Sequence, residues 1–415
     1  MGPITTHSPL SAVRFLGFFL CAGLMALATD SLAGTCDSQP SPSVAMALTK
    51  AAKAIENERP EEALATLTKA AKRAGKRSHH LLEFHLGVQL VQAEEPDKAL
   101  ERFRNATALC DSFAPAWQNL GRVAYETEHF GEAAHALGTA FVLTGETRPA
   151  LRYFEALSRY REKSWETCVT LCLDLFARFP DCRNVGWVEL AAAAAPQAGK
   201  RPAVIKALTD RLPIMGGDPK LRRCLAGLLL QEKRYPEAMV QLRNLDHLGD
   251  ITDAELLTLG DLFRAEDLPL DAAACYRRLT EKGKGTAELT RKEAEALMAG
   301  FKPEAALAVL EQGVVTWDTE RLWLLTGQLR FEGDDLTGAE EAFRKVLAIT
   351  PNQGHALMML GYVLFQQEKP EEALPWLNKA VKRAPKCQAK RLRDHVVKLL
   401  AERSKTKSQP PAVRG

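Results

Sequence analysis

Aromatic side chains make up only 7% of this 415-residue chain, and runs of β-branched residues are scarce. Sheets draw on both, so their shortage beside abundant Ala and Leu predicts helix throughout. No apolar run reaches the roughly 20 residues that a membrane-crossing helix needs, and the stretch Phe15–Ala28 stops at 14. There is no glycine-rich phosphate loop, no nucleophile elbow and no His-Glu-x-x-His. The many Asp and Glu residues show no spacing that isolates an acid–base pair. Cys168-x3-Cys172-x9-Cys182 lacks a fourth ligand for zinc, and the haem attachment motif Cys-x-x-Cys-His is absent. No catalytic residue, cofactor or metal is therefore expected. The pair His79-His80 and His85 offer metal-ligand chemistry, but read as a solvated helix start.

Charge is plentiful but unevenly placed. The chain carries +3, yet residues 379–415 hold twelve Lys or Arg against two acidic residues. That end is +10, so the rest is −7 (3 − 10). A basic end solubilises a terminal element, or contacts an anionic surface such as a headgroup layer or cell-wall polymer. Nucleic acid is not expected as a partner.

The short segment before Phe15 bears Arg14, and the apolar run is followed by Ala26-Leu27-Ala28 and Ser31-Leu32-Ala33. This is the layout of a cleavable signal peptide over residues 1–33, cut after Ala33 or after Ala28. Cys36 stands one residue too late for lipidation after Leu32-Ala33-Gly34. A periplasmic or secreted location is expected, with an uncleaved membrane anchor as the alternative. Eight cysteines remain after cleavage. Cys168 and Cys172 suit small buried positions, whereas Cys172 with Cys182 is the more plausible bridge.

Self-similarity organises the rest. LEFHLGVQL, WQNLGRVAY, LLTLGDLF, WLLTGQLR and LMMLGYVLF open one kind of helix. A polar turn follows each, and then a second amphipathic run such as PDKALERFRNAT or PEEALPWLNKAV. A small residue marks the second run at Ala63, Ala99, Ala133, Cys168, Ala203, Ala238, Ala272, Ala305, Ala339 and Ala373, at spacings of 33–36. Twelve residues before each lies Gly or Ala, except for Glu293. Two antiparallel helices approach closely only where neither carries bulk, and a large residue four positions later fills the adjoining groove. The repeats over 184–215 and 286–317 depart most, through AAAAAPQAGKRP and through Lys292-Glu293. Helices are expected to end before Pro180, Pro351 and Pro385.

This pattern resembles the tetratricopeptide repeat, most closely at Trp117, Leu120, Gly121, Ala133, Leu137 and Ala140, and at Leu360, Gly361, Ala373, Leu377, Ala380 and Pro385. The resemblance implies an all-α, right-handed superhelical solenoid of about ten hairpins over 44–386. A capping helix over 387–403, a linker over 34–43 and a basic tail over 404–415 complete the expected organisation. It also implies that the first helix of each hairpin lines a concave face. On that face Phe84, Arg122, Tyr125, Tyr153, Tyr160, Arg161, Arg223, Arg264, Phe331, Met358, Tyr362 and Phe365 form the candidate groove. Aromatics beside arginines are enriched where proteins bind proteins. A helical or extended partner segment suits such a groove. No Lys/Asn set surrounds Asn119, so the carboxylate-clamp subclass of the family is not indicated. The expected function is a non-catalytic scaffold or adaptor of the cell envelope. The alternative is a glycan-binding or cell-wall-binding accessory of an envelope enzyme or polysaccharide export machine.

Overall fold

The computed structural model describes residue 36, residues 39–384 and residues 388–407, with side chains as far as Ser404. The expected signal peptide, Pro385, Cys387 and residues 408–415 lie outside the described residues. Among the described residues every regular element is helical. They form two compact units, one up to Gln241 and one from Leu242.

In the first unit α1 (Pro42–Glu56) pairs with α2 (Pro60–Ala74), and α3 (His80–Gln92) with α4 (Pro96–Leu109). Next, α5 (Ala114–Glu126) pairs with α6 (Phe130–Leu143), and α7 (Pro149–Arg161) with α8 (Trp165–Arg178). α9 (Val185–Ala198) packs on the short α10 (Arg201–Thr209), followed by the one-turn α11 (Leu212–Met215) and by α12 (Pro219–Gln231). α13 (Tyr235–His247) crosses the division between the units. In the second unit α14 (Asp253–Ala265) pairs with α15 (Pro269–Leu279), and α16 (Ala287–Ala299) with α17 (Pro303–Trp317). α18 (Glu320–Glu332) pairs with α19 (Leu336–Ile349), α20 (Gly354–Gln366) with α21 (Pro370–Arg383), and α22 (Ala389–Lys407) packs on α21.

One turn geometry recurs inside the hairpins. Glu58, Glu94, Glu128, Lys163, Lys233, Asp267, Phe301, Asp334 and Glu368 all have left-handed backbone, with φ between 57° and 65°. The next residue then donates its N–H to the carbonyl five positions back, as from Glu95 to Leu90 (2.9 Å) and Lys369 to Leu364 (2.9 Å). That closure satisfies a carbonyl that the ending helix would leave unpaired. Proline at the first position of the second helix, as at Pro60, Pro96, Pro269, Pro303 and Pro370, costs no hydrogen bond there.

The pivot positions pack as their size requires. A methyl group on Gly121 would lie 2.6 Å from Leu137, and one on Gly361 2.6 Å from Leu377. Gly87 is covered in the same way by Phe103, Gly260 by Tyr276, and Gly327 by Phe343. The large residue four places after the second pivot thus seats directly on the first helix's glycine.

Two hairpins correct the expected register. In the hairpin of α16 and α17, Ala305 is exposed while Ala306 and Leu310 are buried, so the seats belong to Ala294, Ala306 and Leu310. Glu293 is displaced to the neighbouring position, and every first-helix pivot is then small. In the hairpin of α9 and α10, Ala203 is exposed, and Val204 with Leu208 fills the buried seats. Arg211 supports this shortened second helix: it is buried, donates to the carbonyls of Pro180 (3.1 Å) and Cys182, and lies 4.8 Å over the Phe176 ring.

The departures at 286–317 also have a partner. Lys292 Nζ sits 2.7 and 2.8 Å from the two carboxylate oxygens of Asp261, whose Oδ1 accepts from the Tyr276 hydroxyl at 2.7 Å. Lysine at this position ties α16 back to the preceding hairpin. α22 runs on to Lys407, beyond the expected end at 403, and buries Val396 with Leu392 and Leu400 packed beside it.

The cysteines differ from expectation. Cys172 and Cys182 are not bridged. Cys172 is fully buried on α8, four residues after the pivot Cys168, while Cys182 lies in the turn beyond Pro180. The bridge in the structure joins Cys36 to Cys110, with a Cα–Cα distance of 6.0 Å. It fastens the segment before α1, expected to be a linker, to the turn between α4 and α5.

Candidate functional site

Tyr125 lies in the last turn of α5 and Tyr160 in the last turn of α7, one repeat apart. Each meets the aromatic residue that opens the following helix. Tyr125 and Phe130 pack edge to face with centroids 5.5 Å apart, and Tyr160 and Trp165 do so at 4.8 Å. Such pairs contribute about 0.5–1.5 kcal/mol beyond their buried area. Arg161 joins the two hairpins: its guanidinium lies 4.6 Å from the Phe130 centroid and 5.9 Å from that of Tyr125. It also approaches the Glu128 carboxylate, at 3.7 Å, in the turn between α5 and α6. The Arg161 side chain remains 39% exposed beside the rings it covers, as a cation–π contact allows.

Burial raises the pKa of the Tyr125 hydroxyl, with Arg161 opposing. Burial likewise raises that of the Tyr160 hydroxyl. Both phenols therefore stay neutral donors near neutral pH. Glu126 is pushed up by burial, against the pull of Arg122. Arg122 is half-buried, and its Nε is enclosed without a hydrogen-bond partner among the described residues. The result is a half-exposed aromatic ledge, cationic through Arg161, on two successive hairpins.

Other candidate residues fall elsewhere. Phe84 is not on an open face: it is buried against Phe113 (5.2 Å) and Phe103 (6.0 Å), because the long turn before α5 folds Phe113 over it. Tyr153 is pushed up to about 12 by burial, and its hydroxyl abuts Gly186 at the start of α9, which makes it a packing residue between hairpins. Arg223 is half-buried on α12. In the second unit Arg264 is exposed on α14. Phe331 and Tyr362 pack edge to face at 5.5 Å, and Tyr362 stays exposed. Phe365 packs against His395 of α22 at 5.6 Å, and Met358 is partly buried against the core of its unit.

Phe130 and Trp165 were missed because they open second helices, which the resemblance does not place on the groove. Their signal was available: an aromatic pair five residues apart, repeated with a 35-residue period. A second unforeseen feature is an open cleft of about 320 Å³ lined by Arg344, Leu347, Pro351, Trp376 and Lys379. There Lys379 Nζ lies 4.5 Å from the Trp376 ring. His79 and His80 do not form a solvated helix start; both are buried, His80 edge-on to Phe113 at 5.2 Å.

The family model of the tetratricopeptide repeat matches residues 291–354 and 324–386. No curated protein matches the chain. Among solved structures it is similar to YrrB, described as a TPR protein with an unusual peptide-binding site. That likeness has 18% identity and a TM-score of 0.37, over 45% of this chain and 96% of that one. It is also similar to a tetratricopeptide repeat protein from Parabacteroides merdae, with 13% identity and a TM-score of 0.35 over 60% and 98% of the two chains. The Cut9–Hcn1 hetero-tetramer gives 10% identity and 0.34, over 85% and 96%.

Proposed function

The chain carries tetratricopeptide repeats over residues 291–386, and from that premise we propose that it is a non-catalytic scaffold holding a segment of a partner protein against the ledge of Tyr125, Phe130, Tyr160, Arg161 and Trp165. The observation that carries this reading is the repetition of the aromatic pair on adjacent hairpins with Arg161 between them. A segment with an apolar side chain for the rings and a carboxylate for the guanidinium matches this chemistry. The N-terminal pattern of Arg14, the 14-residue apolar run and Ser31-Leu32-Ala33 supports a place in the cell envelope.

Two measurements test the reading. Pull-downs from an envelope fraction should lose specific partners with Arg161→Ala, and with Tyr125→Ala plus Tyr160→Ala, while circular dichroism shows an intact helical fold. Identical partner profiles would sink the assignment of this ledge. N-terminal sequencing of the mature protein should start at Gly34 or Thr29; an intact Met1 terminus contradicts the cleaved signal.

A further inference from the structure

The bridge between Cys36 and Cys110 has an unusual neighbour. His80, in the first turn of α3, places a ring nitrogen within 4.8 Å of both sulfurs. The residue is 8% exposed, and its Nδ1 is enclosed with no hydrogen-bond partner among the described residues. Ser112 Oγ lies 3.3 Å from Cys36 Sγ and 3.6 Å from Cys110 Sγ. A purely structural disulfide has no use for a buried, unpartnered imidazole, whose desolvation costs free energy without return.

We propose that Cys36, Cys110 and His80 form, when the bridge is reduced, a three-coordinate site for one monovalent copper ion. Two thiolates and an imidazole are soft donors of the kind that select this ion. Zinc instead favours four ligands, and three are grouped here. A dithiol supplies the two electrons and two protons that convert the disulfide to two thiols, and becomes a disulfide itself. A phosphine supplies the two electrons while water gives the two protons, its oxygen leaving in the phosphine oxide. Binding then forms two Cu–S bonds and one Cu–N bond and releases both thiol protons to solvent. The ion and the disulfide exclude one another, yet either one fastens the segment at Cys36 to the turn between α4 and α5.

The test compares two states of the same full-length mature protein, titrated anaerobically with Cu(I) against a bicinchoninate competitor. One sample keeps the bridge, and the other is reduced with a phosphine. Among the described residues Cys168, Cys172, Cys182, Cys224 and Cys275 are thiols in both, so the difference between samples is assigned to this pair through the Cys36→Ser and Cys110→Ser variants. The reduced form should hold one more tightly bound Cu(I) per chain. That extra ion should vanish in Cys36→Ser and in Cys110→Ser, and should bind about tenfold or more weakly in His80→Ala. X-ray absorption of the added ion should show two sulfurs and one nitrogen, a readout that needs no variant. Equal uptake by bridged and reduced protein, survival of the extra ion in the cysteine variants, or an all-sulfur shell overturns the site.

Discussion

Replacing Glu293 with Gln should change the way stability depends on pH. Glu293 is 4% exposed on α16. Burial pushes its carboxyl up to about 7, against the attraction of Arg277, with Glu281 adding to the rise. In the unfolded chain the same group titrates near 4.5. Between those values the folded chain keeps a proton that the unfolded chain has released. Stability is therefore full below about pH 4.5, falls as pH rises to about 7, and stays at the lower level above. At about 1.4 kcal/mol per pKa unit the ceiling of this loss is about 3 kcal/mol. Movement of Arg277 toward the carboxylate reduces it, so a loss of about 1–3 kcal/mol is expected. Gln keeps the shape and carries no charge at any pH. Urea unfolding of wild type and Glu293→Gln, followed by circular dichroism from pH 4.5 to 8, gives the difference directly. The variant's advantage should grow with pH up to about 7 and then level off. A difference that is flat with pH, or that grows toward acid, would refute the reasoning.

Two further substitutions address packing in the second unit. Gly361→Ala raises helix propensity by about 1 kcal/mol, yet its methyl would meet Leu377 at 2.6 Å. A net loss of about 1–3 kcal/mol is expected, and in a Leu377→Ala background the same change should cost less, as a double-mutant cycle in urea would read. Lys292→Ala removes the cationic partner of Asp261 and should lower stability by about 1–3 kcal/mol; adding Asp261→Asn should recover part of the loss.

The existence and period of the hairpins could be read from residue type alone, because a close helix crossing tolerates only Gly or Ala, and Gly121, Gly327 and Gly361 announce it. The exact seat could not always be read. Ala305 and Ala306 are equally small, and only the turn at Phe301, with φ 57°, decides which of them faces α16. The same ambiguity put Glu293 in a seat that belongs to Ala294. Candidate surface residues were legible as a set but not singly. Phe84 and Phe331 are both first-helix aromatics, yet Phe84 is buried because Phe113, from the following turn, folds over it. Phe130 and Trp165 joined the ledge because a hairpin brings the start of its second helix beside the end of its first. The bridge from Cys36 to Cys110 spans 74 residues, and no local spacing encodes it. Short-range sterics are thus written in the sequence, whereas burial, pairing and pKa arise only when separate hairpins stack and exclude water from between them.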